Sequence, residues 1–272
     1  MPPPHVSRRR ALVGAALVVA SACRPSPERA TPATRSQPDE DGGLEGGRRQ
    51  GEIALERGPR EGAAARPGLR RLGLGAARDG LVYIPTGYRR DVAAPLAVML
   101  HGAGGRAERG IRPFLREADR RGLILLAPES RGRTWDVLLG GYGPDVRFIE
   151  RALQQTLARY SVDRARLALE GFSDGASYAL SLGMTNGDVF SSIIAFSPGF
   201  AAPARQEGSP AMFVSHGTQD RVLRIGSTSR RIMPRLRRAG YEVRYVEFDG
   251  GHEVPTSIVR AALTWWLGGS AP

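Results

Sequence analysis

Short apolar runs alternate with longer amphipathic segments from about residue 70 to the end of the chain. Within the segment 145–162, for example, Val146, Ile149, Leu153 and Leu157 recur at the three- and four-residue spacing of one helix face. The alternation predicts one α/β domain, in which a mostly parallel, twisted sheet is covered by helices on both faces. The runs predicted to be strands read "LVYIP", "LAVMLHG", "LILLAPE", "RLALEG", "SSIIAFSP", "AMFVSHG" and "YEVRYVEF".

Four segments between or after these runs have the spacing of amphipathic helices. They read "IRPFLREADRRG", "DVRFIERALQQTLARYSV", "STSRRIMPRLRRAG" and "VPTSIVRAALTWWL". Asp145 begins the second segment and is predicted to be its N-cap. Pro234 is expected to interrupt the third, because proline removes a helical hydrogen bond.

The first part of the chain has a different pattern. Residues 1–23 contain three arginines, an apolar stretch from Ala11 to Ala20 and small residues before Cys23, which predicts an export signal of the lipoprotein type. The cluster at Ser7-Arg8-Arg9 is also typical of twin-arginine signals, although an ordinary signal has such arginines too. The predicted location is therefore outside the cytoplasm, either anchored to a membrane through a lipid on Cys23 or free as a periplasmic or secreted protein.

Residues 24–69 are rich in Pro, Gly, Arg, Glu and Ala and poor in aromatic residues, which predicts a disordered tether. The catalytic domain is then expected over residues 70–272. Cys23 is the only cysteine, so an intrachain disulfide is excluded.

All 39 basic residues are arginine, and the formal net charge of the 272-residue chain is +12. The arginines are scattered, however, and no basic helix or zinc-finger spacing accompanies them. We therefore predict a solvated basic surface and no nucleic-acid partner. The histidines and acids show no metal-ligand spacing such as HExxH, so no metal and no cofactor are expected.

The segment "ALEGFSDGASYALSLG" places Ser173 between Gly171 and Gly175, after a predicted strand and before a predicted helix. A GxSxG pattern is loose in a glycine-rich chain, but this context is typical of a nucleophilic serine. A serine nucleophile needs a histidine as base and a carboxylate that orients the histidine. His252, in "DGGHEVP" after the last strand, is the predicted base.

Two carboxylates could serve the histidine. Asp220 in "SHGTQDRV" follows a predicted strand and is preferred, while Asp249 is the alternative. The oxyanion of an acyl-transfer intermediate needs backbone donors. We predict the N–H of Asp174, after the nucleophile, and that of Ala103 in "HGAGG", with Gly104 as the next choice.

The set "LHGAGG", "GFSDGASYALSLG", "SHGTQDRV" and "DGGHEVP" resembles the α/β-hydrolase superfamily, and more narrowly its polyhydroxybutyrate depolymerase, feruloyl esterase and phospholipase/carboxylesterase relatives. The resemblance implies a triad of Ser173, Asp220 and His252, with His101 and His216 in structural roles. It also places Trp135 in "TWDV" at the substrate pocket, for which core packing is the alternative, and Phe200 is a second predicted pocket residue.

The chain is too short for a separate lid domain, so an open site is expected, with the loop Ser197–Gly208 as its only partial cover. These features predict a serine hydrolase that cleaves small or polymeric carboxylic esters through an acyl-enzyme. A peptidase of the oligopeptidase type and a noncatalytic binding protein with the same fold are the alternatives. The acyl and alcohol groups of the ester and the oligomeric state stay open.

Overall fold

The computed structural model describes residues 50–56, 66–75 and 77–268 of the chain. Its described part contains one eight-stranded sheet with the strand order β1-β2-β4-β3-β5-β6-β7-β8. The strands are β1 Gly68–Arg71, β2 Gly80–Ile84, β3 Ala94–Leu100, β4 Ile124–Pro128, β5 Val162–Phe172, β6 Ser192–Phe196, β7 Ala211–Gly217 and β8 Val243–Phe248. The α-helices are α1 Ala107–Ile111, α2 Leu115–Arg121, α3 Pro144–Arg159, α4 Asp174–Thr185, α5 Ser229–Arg238 and α6 Thr256–Leu267.

Strands β3 to β8 run parallel to one another, and only β1 and β2 pair antiparallel with their neighbours. Helices α3, α4 and α5 pack on one face of the sheet, and α1, α2 and α6 pack on the other. The predicted fold class is therefore confirmed. Because the carboxyl ends of parallel strands share one edge, the loops after β3, β5, β7 and β8 meet there.

Some predicted elements differ in detail. The segment predicted as one helix from residue 111 contains only the last residue of α1, followed by a 3₁₀ turn at Arg112–Phe114 and then α2, since Pro113 sits in the turn. Asp145 is not the N-cap of α3; Gly143 holds that position and Pro144 follows it. Pro234 lies inside α5 without ending it. Strand β1 was not predicted, because only alternate residues of this short edge strand are half-buried.

Part of the predicted tether is packed on the domain. Ile53 is a core residue, its N–H donates to Asn186 Oδ1 at 2.8 Å, and Asn186 Nδ2 donates to the carbonyl of Gly51 at 2.8 Å. The tether prediction is therefore wrong for residues 50–56 and for the start of β1. A run of three apolar residues, Ile53 to Leu55, is too short to give a periodic signal, so the burial of Ile53 could not be foreseen from the pattern.

The predicted signal, Cys23 and most of the predicted tether lie outside the described residues. Among the residues that are described, no helix is both long enough and apolar enough to cross a membrane.

Candidate active site

Ser173 occupies a sharp turn between β5 and α4. Its backbone has a φ of 58°, in the left-handed region that L-residues rarely adopt, and its N–H donates to the carbonyl of Phe196 at 2.9 Å. A β-carbon on Gly171 would collide with the carbonyl of Gly175, and one on Gly175 would collide with the carbonyl of Leu100. Glycine at both positions lets β5, α4 and β3 approach closely enough to form this turn, as the pattern GFSDG predicts.

The side chains of Ser173, His252 and Asp220 are connected by hydrogen bonds. His252 Nε2 is 2.9 Å from Ser173 Oγ, and His252 Nδ1 is 2.6 Å from Asp220 Oδ2. Asp220 is in the loop after β7 and His252 is in the loop after β8, so the sheet edge brings the three residues together. Asp249, the alternative acid, instead accepts a hydrogen bond from Gln219 Nε2 at 2.6 Å.

Asp220 is held by donors on both carboxylate oxygens. The backbone N–H groups of Val222 and Leu223 each donate to Oδ1 at 2.8 Å, while Oδ2 faces His252. Burial alone would raise the pKa of Asp220, but the hydrogen bonds from His252, Leu223 and Val222 outweigh it and lower the pKa below its usual value. An ionised Asp220 requires a donor at His252 Nδ1, which leaves Nε2 free to accept the proton of the Ser173 hydroxyl.

His216 also contacts Asp220, a contact that the sequence did not predict. Its Nε2 lies 3.2 Å from Asp220 Oδ2 and 2.7 Å from the carbonyl of Leu223, and its Nδ1 lies 2.7 Å from Ser229 Oγ. The side chain is fully buried, and burial lowers the pKa of His216. The only signal in the sequence is that His216 precedes Asp220 by four residues, and spacing alone does not place two side chains in a loop.

The loop after β3 lies beside Ser173, since a β-carbon on Gly102 would be 3.4 Å from the Ser173 β-carbon. In this loop the N–H of Gly104 donates to the carbonyl of Arg133 at 2.6 Å, so it is engaged within the protein. Across the described residues, the N–H groups of Ala103 and Asp174 donate to no protein acceptor. Both are therefore available to a ligand oxygen, and their role in stabilising an oxyanion stays a prediction.

His101 and Trp135 hold the loop after β3 through hydrogen bonds to its backbone. The N–H of Ser130 donates to His101 Nε2 at 3.1 Å, so the His101 proton is on Nδ1 and is donated to the carbonyl of Gly102 at 2.8 Å. Burial lowers the pKa of His101, which keeps the ring neutral. Trp135 is fully buried and donates its indole N–H to the carbonyl of His101, so its predicted role in the substrate pocket is wrong.

The loop Ser197–Gly208 is fixed along α4. Three hydroxyls on one face of α4 accept N–H groups from this loop at 2.9 to 3.1 Å. The pairs are Gly199 with Ser177, Ala202 with Ser181 and Ala204 with Thr185. The partial cover of the site by this loop stays a prediction. Phe200, a half-buried residue, stays a predicted pocket residue.

Comparison with known proteins supports the same fold. No family model matches the chain. Feruloyl esterase B of Thermothelomyces thermophilus is 28% identical over 193 residues, which cover 66% of this chain and 64% of that protein. The chain thus spans slightly less than two thirds of this relative.

Two solved structures are similar at lower sequence identity. The fluorophosphonate-binding serine hydrolase F of Staphylococcus aureus superposes with a TM-score of 0.60 at 14% identity, over 74% of this chain and 99% of that one. The CE1 ferulic acid esterase of Anaeromyces mucronatus, in complex with ferulic acid, superposes with a TM-score of 0.55 at 19% identity, over 74% and 90% of the two chains. At these identities the likeness establishes the fold.

Proposed function

We propose that this chain, which has the α/β-hydrolase fold, is a serine hydrolase that cleaves carboxylic esters through an acyl-enzyme on Ser173. The observation that carries the proposal is the hydrogen-bonded series Ser173–His252–Asp220, with 2.9 and 2.6 Å between the bonded atoms. A serine hydroxyl becomes nucleophilic only when a base removes its proton, and this series supplies the base and the group that orients it.

In the first half of the reaction, Ser173 Oγ attacks the ester carbonyl carbon while its proton moves to His252 Nε2. The negative oxygen of the tetrahedral intermediate accepts the N–H groups of Ala103 and Asp174, each worth about 3 kcal/mol in enzymes of this kind. The intermediate then expels the alcohol, which leaves with the proton from His252. Asp220 stays ionised and stabilises the charged imidazole throughout.

In the second half, water replaces the alcohol. His252 Nε2 removes a proton from the water, whose oxygen attacks the acyl carbon. The same two N–H groups stabilise the second tetrahedral intermediate, and Ser173 leaves as an alcohol after it takes back a proton from His252. The products are one carboxylic acid and one alcohol.

The proposed substrates are small or surface-exposed esters, with aromatic acyl groups first. The support for this choice is the relative that is 28% identical over 193 residues, which is a feruloyl esterase. Phe172 packs on His252 with 4.7 Å between ring centroids, and Phe200, which follows Gly199, is the residue that we propose for contact with an aromatic acyl group.

The test uses the purified full chain with p-nitrophenyl acetate and methyl ferulate, next to the variant Ser173→Ala. We expect hydrolysis by the parent and its loss in the variant, together with labelling of the parent by a fluorophosphonate. Ester hydrolysis that survives in Ser173→Ala would overturn the mechanism. A parent that neither hydrolyses esters nor reacts with the probe would support a noncatalytic binding protein instead.

We also propose that the chain is exported and anchored through a lipid on Cys23. The support for this comes from the sequence alone, in the arginines, the apolar stretch and the small residues that precede Cys23. Expression of the parent and of Cys23→Ser in a bacterial host, followed by fractionation, tests the proposal. The parent is expected with the membranes and the variant in a soluble fraction, whereas equal distribution would exclude the anchor.

A further inference from the structure

His216 is a fully buried histidine that takes no part in the mechanism described above. It is the second-last residue of β7, before Gly217, and its imidazole lies against the loop that carries Asp220. Its Nε2 lies within reach of two acceptors, the carbonyl of Leu223 at 2.7 Å and Asp220 Oδ2 at 3.2 Å. The two acceptors are three residues apart, so one ring atom connects the carboxylate to the far side of its own loop.

The protonation of the His216 ring follows from its neighbours. A carbonyl oxygen and a carboxylate oxygen can only accept, so the atom that faces both, Nε2, must carry the proton. Nδ1 then accepts the hydroxyl proton of Ser229, at 2.7 Å. Because burial lowers the pKa of His216, the ring stays neutral and offers a single N–H on this side.

The same carboxylate oxygen also accepts the bond from His252. Asp220 Oδ2 therefore has two imidazole donors, His252 Nδ1 at 2.6 Å and His216 Nε2 at the longer distance, while Oδ1 is held by two backbone N–H groups. A carboxylate with a fourth donor has fewer orientations available. It is also a weaker acceptor for His252 than it would be with that donor removed.

We propose that His216 is a positioning residue for the reaction on Ser173: its Nε2–H fixes the Asp220 carboxylate against His252 and limits how strongly Asp220 stabilises the charged imidazole. The inference rests on the proposed function, since it assigns His216 to the same reaction. This role of His216 differs from packing, because it depends on the Nε2–H hydrogen-bond donor and not on the volume of the ring.

The other titratable groups around His216 keep one charge state over the pH range of the test. Glu247 is its partner on β8 in the sheet register, and Glu247 is bound by Arg230 through two hydrogen bonds of 2.9 and 2.7 Å. This ion pair lowers the pKa of Glu247, and burial raises the pKa of Tyr245 beyond the neutral range. Glu247 therefore stays ionised and Tyr245 neutral between pH 5 and pH 9.

Two substitutions at His216 distinguish the effect of the hydrogen-bond donor from the effect of the ring. In His216→Gln the amide nitrogen reaches the place of Nε2 and keeps the N–H, whereas in His216→Asn the shorter amide reaches only the place of Nδ1. With p-nitrophenyl acetate we expect His216→Asn to lower kcat about tenfold at unchanged KM. Because this variant lacks the donor to Asp220, the carboxylate becomes a stronger acceptor for His252. The acid limb of the pH profile of kcat/KM should therefore move to a pH roughly half a unit higher.

His216→Gln is expected to keep the parent's kcat and pH profile within a factor of about two. Ser229→Ala is the control, since it removes the contact on the other side of the same ring and should leave the acid limb in place. The proposal is overturned if His216→Asn has the parent's kcat and acid limb, or if the two amides behave alike.

A measurement on the parent covers the case in which neither variant folds. In protein with ¹⁵N-labelled histidine, we expect the His216 proton on Nε2 across the pH range. A proton on Nδ1 would overturn the inference. This readout needs no ester hydrolysis, so its failure is distinguishable from failure of the proposed function.

Discussion

The indole N–H of Trp135 donates to the carbonyl oxygen of His101 at 2.8 Å, and the two rings lie 4.9 Å apart. The indole also stacks on Tyr178 of α4, with 5.1 Å between ring centroids. His101 begins the loop that carries Gly102 and Ala103, while α4 begins at Asp174. Trp135 therefore connects the two segments that supply the predicted oxyanion donors, and it fixes their separation.

The first prediction concerns this connection. Trp135→Phe keeps an aromatic ring but leaves the buried His101 carbonyl without its donor, so the loop is expected to shift. Because the oxyanion exists only in the transition state, kcat should fall about tenfold and KM should not change. Steady-state kinetics with p-nitrophenyl acetate measures both. Trp265→Phe, in α6 on the other face, is the control, and equal kcat values in the two variants would contradict the prediction.

The second prediction concerns the close approach of α4 to β3. Gly175→Ala places a methyl group against the carbonyl of Leu100, which is backbone and cannot move aside. We expect the turn at Ser173 to open, with more than a hundredfold loss of kcat/KM and a lower midpoint of urea unfolding. Gly226→Ala is the control, since a β-carbon there meets no atom within 4 Å. A Gly175→Ala protein of parental activity would contradict this reading of the turn.

Much of the fold could be predicted because its core strands are nearly continuous apolar runs, and β7 was placed without error at Ala211–Gly217. Ser173, Asp220 and His252 were found because each follows a strong strand signal at the same sheet edge. The structural role predicted for His216 agrees with its burial, but its contact with Asp220 was not predicted. Trp135 was predicted at the pocket, with core packing as the alternative, since whether a buried ring contacts a ligand or a carbonyl depends on tertiary packing. Nothing local to either residue distinguishes the two cases.

The third prediction concerns Asp145, whose pKa burial raises to about 6. Since this pKa lies above the unfolded value of 3.8, the folded state binds the proton more tightly. The resulting stability is fully present below pH 4 and is lost as the pH rises through about 6, with a total of roughly 3 kcal/mol. Asp145→Asn removes this titration. Urea unfolding from pH 4 to pH 8 should therefore show less loss of stability with rising pH in the variant than in the parent, and equal slopes would contradict the assignment.

The fourth prediction concerns Phe200, which follows Gly199, the residue whose N–H donates to Ser177 Oγ. If Phe200 borders the acyl group, Phe200→Leu should raise KM for methyl ferulate severalfold, because an aromatic contact worth about 1 kcal/mol is lost. The KM for p-nitrophenyl acetate, whose acyl group has no ring, should stay the same. A KM that rises equally for both esters would place Phe200 outside the acyl pocket.

The fifth prediction concerns the segment 50–56, which docks on the domain through Ile53. Ile53→Ala leaves a cavity in the core, and truncation of a buried isoleucine costs about 2 to 5 kcal/mol. Asn186→Ala removes the partner of two backbone groups of this segment, the N–H of Ile53 and the carbonyl of Gly51, so we expect a loss of about 1 to 3 kcal/mol there. Urea unfolding of the full chain measures each value.

The matched control for the docked segment is Glu56→Ala, at an exposed residue whose hydrogen bonds to Gln154 use only its backbone, which should change the unfolding free energy by less than about 0.5 kcal/mol. Activity per folded molecule is expected to be parental in the three variants, because the segment contacts α3 and the end of α4 that is remote from Ser173. If Ile53→Ala were as stable as the parent, the segment would belong to the tether as the composition predicts, and the domain would begin at β1.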